Sequence, residues 1–243
     1  MIFFYTNPIL IAAAVIPAIF LLVKVYRADK LEKEPPLLLF SLIVYGIIAT
    51  GLAMATERLG TALLNSALPQ DSLMYNVLMY FAVVAISEEG AKYLLLKIRT
   101  WRSPSFNCQF DGVVYATFVS LGFALWENIG YVIRYGFGTA MIRAVTAVPG
   151  HACFGVFMGV WYGIAKKHEG NGHRIKSRIC RMLSIVFSIL IHGAYDFIAT
   201  YEYIHYAWAF VAFVAVMFAV ALILVRHMSS HDKYINNYNS FWR

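Results

Sequence analysis

The chain has 243 residues, 60% of them hydrophobic and 14% charged, with a mean hydropathy of +0.65. This composition excludes an ordinary soluble domain and makes lipid the expected solvent. The formal charge of +7 does not call for nucleic acid, because the lysines and arginines gather in short segments between apolar runs, as juxtamembrane cations do.

A helix needs about 20 apolar residues to cross the hydrocarbon core, and the sequence predicts an all-α membrane protein, a bundle of about seven transmembrane helices. In chain order the runs cover 9–26, 35–56, 73–98, 111–135, 143–165, 182–200 and 205–225. The opening MIFFYTNPIL has neither the basic start nor the small-residue cleavage site of a secretory signal, so the first run reads as a retained span. Residues 60–72 and the basic stretch 166–181 are the main expected loops, the latter a cytoplasmic loop on anionic headgroups. Residues 228–243, with Tyr234, Tyr238, Phe241 and Trp242 among asparagines, suit an interfacial tail. The reading is thus a single polytopic membrane domain over 1–243 with a motif-bearing core at 73–200.

The cations set the expected orientation. Lys24, Arg27, Lys30, Lys33, Lys97, Arg99, Arg102, Lys166, Lys167, Arg174, Lys176, Arg178, Arg181, Arg226, Lys233 and Arg243 fall at one set of alternating ends. Only Arg58, Arg134 and Arg143 fall at the other, as boundary charges with Glu57, and Lys92 lies inside a span. Cytoplasmic ends hold the excess, which puts the N-terminus outside and the C-terminus in the cytoplasm. Cys108, Cys153 and Cys180 share no metal-ligand spacing; two are expected in loops and one in a helix, with no disulfide.

Ionisable side chains at bilayer depth cost about 2.5–3.5 kcal/mol each on insertion scales, yet this chain keeps several. The third run holds Glu88, Glu89 and Lys92, the fourth Glu127 and Asn128, the fifth His151 after Pro149-Gly150, and the sixth His192 and Asp196. His192 and Asp196 are four apart and share a helix face; Lys92 is four from Glu88 and three from Glu89, so it is expected to neutralise one acid and leave the other for chemistry. Asp111 opens the fourth run where an N-cap belongs. Gly155 and Gly159 suggest a close helix contact, and Trp126, Tyr131, Trp161 and Tyr162 read as lipid-facing or interfacial packing.

Such a set of acids and imidazoles supports peptide hydrolysis in two ways. A glutamate can take a proton from a histidine-held water while a histidine or asparagine stabilises the oxyanion. Alternatively, Glu127, His151 and His192 could hold a divalent ion, most plausibly Zn2+, that activates the water.

The ordered set Glu88-Glu89-x-x-Lys92, Phe123-x-x-x-Glu127-Asn128 and His192-x-x-x-Asp196, with His151 between the last two, resembles the PrsW-type intramembrane proteases, within a wider group of CAAX-processing and bacteriocin-processing membrane proteases. The resemblance implies a glutamate-dependent or metal-dependent intramembrane protease of a bacterial or archaeal cell membrane. It implies catalytic roles for Glu88, Glu89, Lys92, Glu127, Asn128, His192 and Asp196, and a membrane-anchored protein substrate such as an anti-sigma factor cut on its extracytoplasmic side. By analogy with relatives that carry an arginine later in the first motif, Glu88 would be the base and Glu89 the lysine's partner, although the lysine here is one residue closer. Rival readings are a zinc-dependent lipid amide hydrolase, since some ceramidase-like proteins also pair His-x-x-x-Asp with buried histidines, a proton-coupled transporter, and a non-catalytic scaffold. Transporters usually show internal repeats, and the sequence shows none.

Overall fold

The computed structural model describes residues 8–200 and 207–235. Its helices are α1 (Pro8–Ala28), α2 (Pro36–Ala67), α3 (Leu73–Leu78), α4 (Ile86–Thr100), α5 (Asp111–Tyr135), α6 (Phe137–Val145), α7 (Ala147–Gly170), α8 (Arg174–Thr200) and α9 (Ala207–Ser230), with a π-helical turn, Met79–Ala85, joining α3 to α4. Six helical stretches are long and apolar enough to cross a membrane, Phe137–Gly170 counting as one. The seventh expected span is the continuous helical run 73–100, which is divided by the π turn and carries Glu88, Glu89 and Lys92. The all-α bundle is therefore as expected; among the described residues the sole strand-like pairing is an isolated bridge between Cys108 and Tyr234.

Local chemistry sets the helix ends. Pro36 opens α2, where a missing N–H is harmless and the fixed φ already suits a helix. Ser72 caps α3, its Oγ accepting from Tyr75 N at 3.1 Å. Gly136, at φ 82°, stops α5 in a conformation that a Cβ would strain.

The core is built around α5, buried at every position from Asp111 to Ala124. It packs against α7 on one side and α2 on the other. Glycine makes both approaches possible: a Cβ on Gly159 would come within 2.5 Å of the Gly112 carbonyl oxygen, and one on Gly155 within 2.8 Å of Thr117 Cα. On the other side, a Cβ on Gly46 or Gly122 would run into the backbone of the facing helix. The outer helices turn exposed Ile, Leu, Val and Phe side chains outward, as a lipid-facing surface requires.

Several expectations need correction. Helix α2 continues to Ala67, into what reads as a loop, and the basic stretch 166–181 is helical apart from the turn at 171–173. Lys and Arg are good helix formers, so charge marks the membrane boundary there without ending the helix. Cys180 accordingly lies in α8, not in a loop, and all three cysteines are free. Asp111 does not cap α5; its Oδ2 reaches back to the amides of Asn107 (3.0 Å) and Cys108 (2.7 Å). Tyr162 is fully buried and meets Thr100 Oγ1 at 3.0 Å, so it does not face lipid. The expected start of the last span at 205 and the tail 236–243 lie outside the described residues.

Candidate active site

The π turn sits directly before the acidic motif, and π segments recur at functional sites because they widen the helix and re-aim the side chains that follow. Phe81 of this turn packs on Gly193, beside His192 on α8, where a Cβ would come within 2.5 Å of the ring. That contact places α4 and α8 so that Glu88, Glu89 and His192 converge.

At the centre stands Lys92. Its Nζ lies 3.0 Å from Glu88 Oε2, 2.8 Å from Glu89 Oε1 and 3.1 Å from His151 Nδ1, and 3.8 Å from the centre of the Phe123 ring. The lysine thus engages both carboxylates, not the one expected of it. The two acids still differ. Glu89 is fully buried and saturated, with Ser188 Oγ donating to Oε2 at 2.5 Å and His192 Nδ1 lying 2.9 Å from Oε1. Glu88 meets Lys92, with His192 Nε2 at 3.9 Å, and lines a cavity of about 450 Å3 together with Glu57, Phe123, Trp126, Glu127 and Tyr131.

On the other side of the lysine, His151 Nε2 lies 3.0 Å from Glu127 Oε2. An ammonium has donors only, so the Lys92 contact makes Nδ1 the acceptor and leaves the ring hydrogen on Nε2, donated to Glu127. Arg143 donates from Nη2 to the same Glu127 oxygen at 2.9 Å and from Nε to Asn128 Oδ1 at 2.9 Å, with its guanidinium 3.9 Å from the centre of the Tyr131 ring. Asn128, buried, donates to the Ala14 carbonyl at 2.8 Å and so ties α5 to α1 and α6; it is not among the cavity's lining residues. Asp196 approaches His192 Nε2 at 3.2 Å.

The structure therefore brings Glu88, Glu89, Lys92, Glu127, His151, His192 and Asp196 into one connected network, with Asn128 behind it. The sequence reading overlooked Arg143, set aside as a boundary charge, and Ser188. Ser188 had a signal: Ser184, Ser188 and His192 recur at four-residue intervals and form one polar stripe on α8. Arg143 had none, because it reaches back to Glu127 across the break between α5 and α6 at Gly136. Trp126 and Tyr131, expected in lipid-facing or interfacial packing, are exposed and also line the cavity.

The donors can be tested against a metal ion. Glu88, Glu89 and His151 offer atoms within 4.8 Å of one another, but each of these residues is already bonded to Lys92 Nζ, and an ammonium and a divalent cation cannot share that position. The trio Glu127, His151 and His192 fares no better, since the His151 nitrogen facing Glu127 carries the ring hydrogen and has no lone pair to offer. With Lys92 in place, these residues do not fit a metal.

Known proteins extend this picture. The profile of a family described as "PrsW family intramembrane metalloprotease" matches residues 34–224. The chain is 34% identical over 153 residues to "Protease PrsW" of Halalkalibacterium halodurans, covering 63% of this chain and 69% of that one. It is 40% identical over 128 residues to "Protease PrsW" of Bacillus subtilis, covering 52% of this chain and 57% of that one. A third similarity, 30% over 161 residues, is to "Protease PrsW" of Clostridioides difficile, covering 65% of this chain and 64% of that one. No solved structure matches.

Proposed function

Because the chain belongs to the PrsW family of intramembrane metalloproteases, we propose that it hydrolyses a peptide bond of a membrane-anchored protein, using water activated by Glu88. As an integral membrane protein of that family it has its substrate class, a protein in the membrane, within reach of the bilayer. The observation that carries the mechanism is the asymmetry of the two adjacent acids: Glu89 is consumed by Lys92, Ser188 and His192, whereas Glu88 opens on the cavity.

In this reading Glu88 takes a proton from water, and the water oxygen adds to the scissile carbonyl carbon. His192, its Nδ1 held by Glu89, turns its Nε2 hydrogen from Asp196 to the oxyanion. Glu88 then returns the proton to the leaving nitrogen, the C–N bond breaks, and a carboxylic acid and an amine result. Glu127, clamped by Arg143 and His151, holds the water on the side away from Glu88. The family's description implies a metal, which would supply Lewis acidity; the donors around Lys92 do not fit one, and no step here uses it.

The cavity lies toward the C-terminal ends of α2 and α5, away from the basic clusters. With those clusters cytoplasmic, the N-terminus is outside and cleavage falls on the extracytoplasmic side, as for a substrate resembling an anti-sigma factor. The test is reconstitution with single-span substrates. Cleavage by the natural chain that disappears in Glu88→Gln is the expected result; undiminished cleavage by Glu88→Gln would overturn the assignment. Release of fatty acid from amide lipids without peptide cleavage would favour the lipid amidase reading instead.

A further inference from the structure

A second set of buried acids lies at the other end of α5, in none of the motifs used above. Asp29 follows α1, Glu34 precedes α2 and Asp111 opens α5, and all three are almost completely buried. Asp111 is sixteen residues before Glu127 on the same helix, about 24 Å away along its axis at ~1.5 Å per residue, so this cluster is separate from the active site.

Each acid has an oxygen with nothing to bind. Asp111 gives Oδ2 to the amides of Asn107 and Cys108, and its buried Oδ1 has no partner. Glu34 gives Oε2 to the Tyr115 hydroxyl at 2.5 Å, and Oε1 has none. Asp29 Oδ2 is likewise unpartnered. The three residues offer oxygens within 4.8 Å of one another, a span that one ion with bonds of ~2.4 Å can bridge. No ion pair among the described residues includes them. The nearby Lys33 turns its ammonium to the carbonyl oxygens of Tyr26 and Asp29 and not to the carboxylates.

Unpaired buried carboxylates are expensive unless a cation joins them. We propose that Asp29, Glu34 and Asp111 form a binding site for one hard divalent cation, Ca2+ or Mg2+, which locks the chain segments meeting at the base of α5. An all-oxygen, acid-rich set selects such ions over Zn2+, which favours nitrogen and sulfur. The surroundings are already built as a knot: Asn107 Nδ2 donates to Glu32 Oε1 at 2.9 Å, Tyr234 Oη to Glu32 Oε2 at 2.9 Å, and Phe110 N to Asp232 Oδ1 at 2.9 Å. The loop after α1, the loop before α5 and the segment after α9 are thereby held together, and the ion sits among them.

The test uses the full chain in detergent, stripped with chelator, dialysed, and titrated separately with CaCl2, MgCl2 and ZnCl2 while melting and bound metal are measured. Ca2+ or Mg2+ is expected to bind at one ion per chain and to raise the melting temperature by about 5–10 °C at a hundred times Kd. Asp29→Asn and Glu34→Gln should each weaken binding by at least about tenfold, and Glu88→Gln should leave it unchanged. Absence of both binding and a melting shift in the natural chain overturns the site, as does equal binding in the two cluster variants or loss of binding in Glu88→Gln. Preference for Zn2+ overturns the ion class. Should Glu34→Gln fail to fold, Asp29→Asn and the stoichiometry of the natural chain decide the matter.

Discussion

Lys92 Nζ lies 3.1 Å from His151 Nδ1 and so joins the acids of α4 to the Glu127 carboxylate of α5 through a single imidazole. The lysine therefore does more than neutralise a neighbour: it sets the tautomer of a ring on α7 and, through it, the donor that Glu127 receives. Glu88→Gln and Glu89→Gln should separate on this account. Both are expected to lower cleavage, Glu88→Gln by about 10²–10⁴-fold as a lost general base. Only Glu89→Gln should also unfold the protein readily, because it leaves a buried ammonium and imidazole short of a counter-charge, a change of about 3–5 kcal/mol. Melting curves of the two variants, read beside cleavage rates, check this; equal melting would refute the division of labour.

Arg143 holds Glu127 and Asn128 through two different nitrogens, a fork that lysine cannot reproduce. Arg143→Met should reduce kcat by about 10–100-fold, the equivalent of about 1.5–3 kcal/mol for a hydrogen bond to a charged group, with KM little changed. Arg143→Lys should recover part of that loss. A rise in KM alone, with kcat intact, would place the arginine in substrate binding instead.

How far the sequence reveals this site depends on whether its signals are local. Glu88, Glu89 and Lys92 share one helix, as do His192 and Asp196, so periodicity alone pairs them. Gly155 and Gly159 likewise suggested a close helix contact, whose partner the structure shows to be α5. Arg143 was passed over because its partner is reached across a helix break, and nothing in the spacing of Asn128 reveals that Ala14 on α1 takes its amide. The lower cluster was missed for the same reason: Asp29, Glu34 and Asp111 are distant or loop-borne, and only the folded chain sets them side by side.

The α5–α7 contact makes a prediction of its own. Gly159→Leu places a branched side chain where even a Cβ would lie 2.5 Å from a backbone oxygen of α5. Overpacking of this kind costs about 1–3 kcal/mol or more, and backbone on both sides leaves nothing to give way. The variant should melt well below the natural chain, whereas Gly130→Leu, at a position with open space, should not. Equal melting of the two would mean that the helices are not in contact there.

At the base of α5, burial is the main cause raising the Asp29 carboxyl to about 6 and that of Glu34 to about 7 in the ion-free chain. Asp232 and Glu32 add to the first, Asp29 and Glu32 to the second, while Lys33 opposes the rise at Asp29 and the Tyr115 hydrogen bond opposes it at Glu34. Both folded values exceed the unfolded ones of about 4, so the folded chain binds more protons between those limits. The stability these two groups contribute is then full below about pH 4 and is lost as pH rises through 6 to 7. Chelator-treated protein should melt lower at pH 8 than at pH 5, and Glu34→Gln should reduce the difference. Saturating Ca2+ should raise the pH 8 value most, because the ion needs the ionised carboxylates.

Chelation also bears on catalysis, and the two clusters respond differently. If the water is activated by Glu88 alone, a chelator can slow cleavage only by loosening the knot around Asp29, Glu34 and Asp111. Activity lost to chelator should then return with Ca2+ or Mg2+ and not with Zn2+, and the loss should follow melting temperature as conditions are varied. In Asp29→Asn, cleavage should be lower from the outset and insensitive to further chelation. Restoration by Zn2+ alone, at a temperature where the chelated protein is still folded, would mean instead that the acids and imidazoles around Lys92 rearrange to hold a metal, and that the ammonium leaves its place when they do.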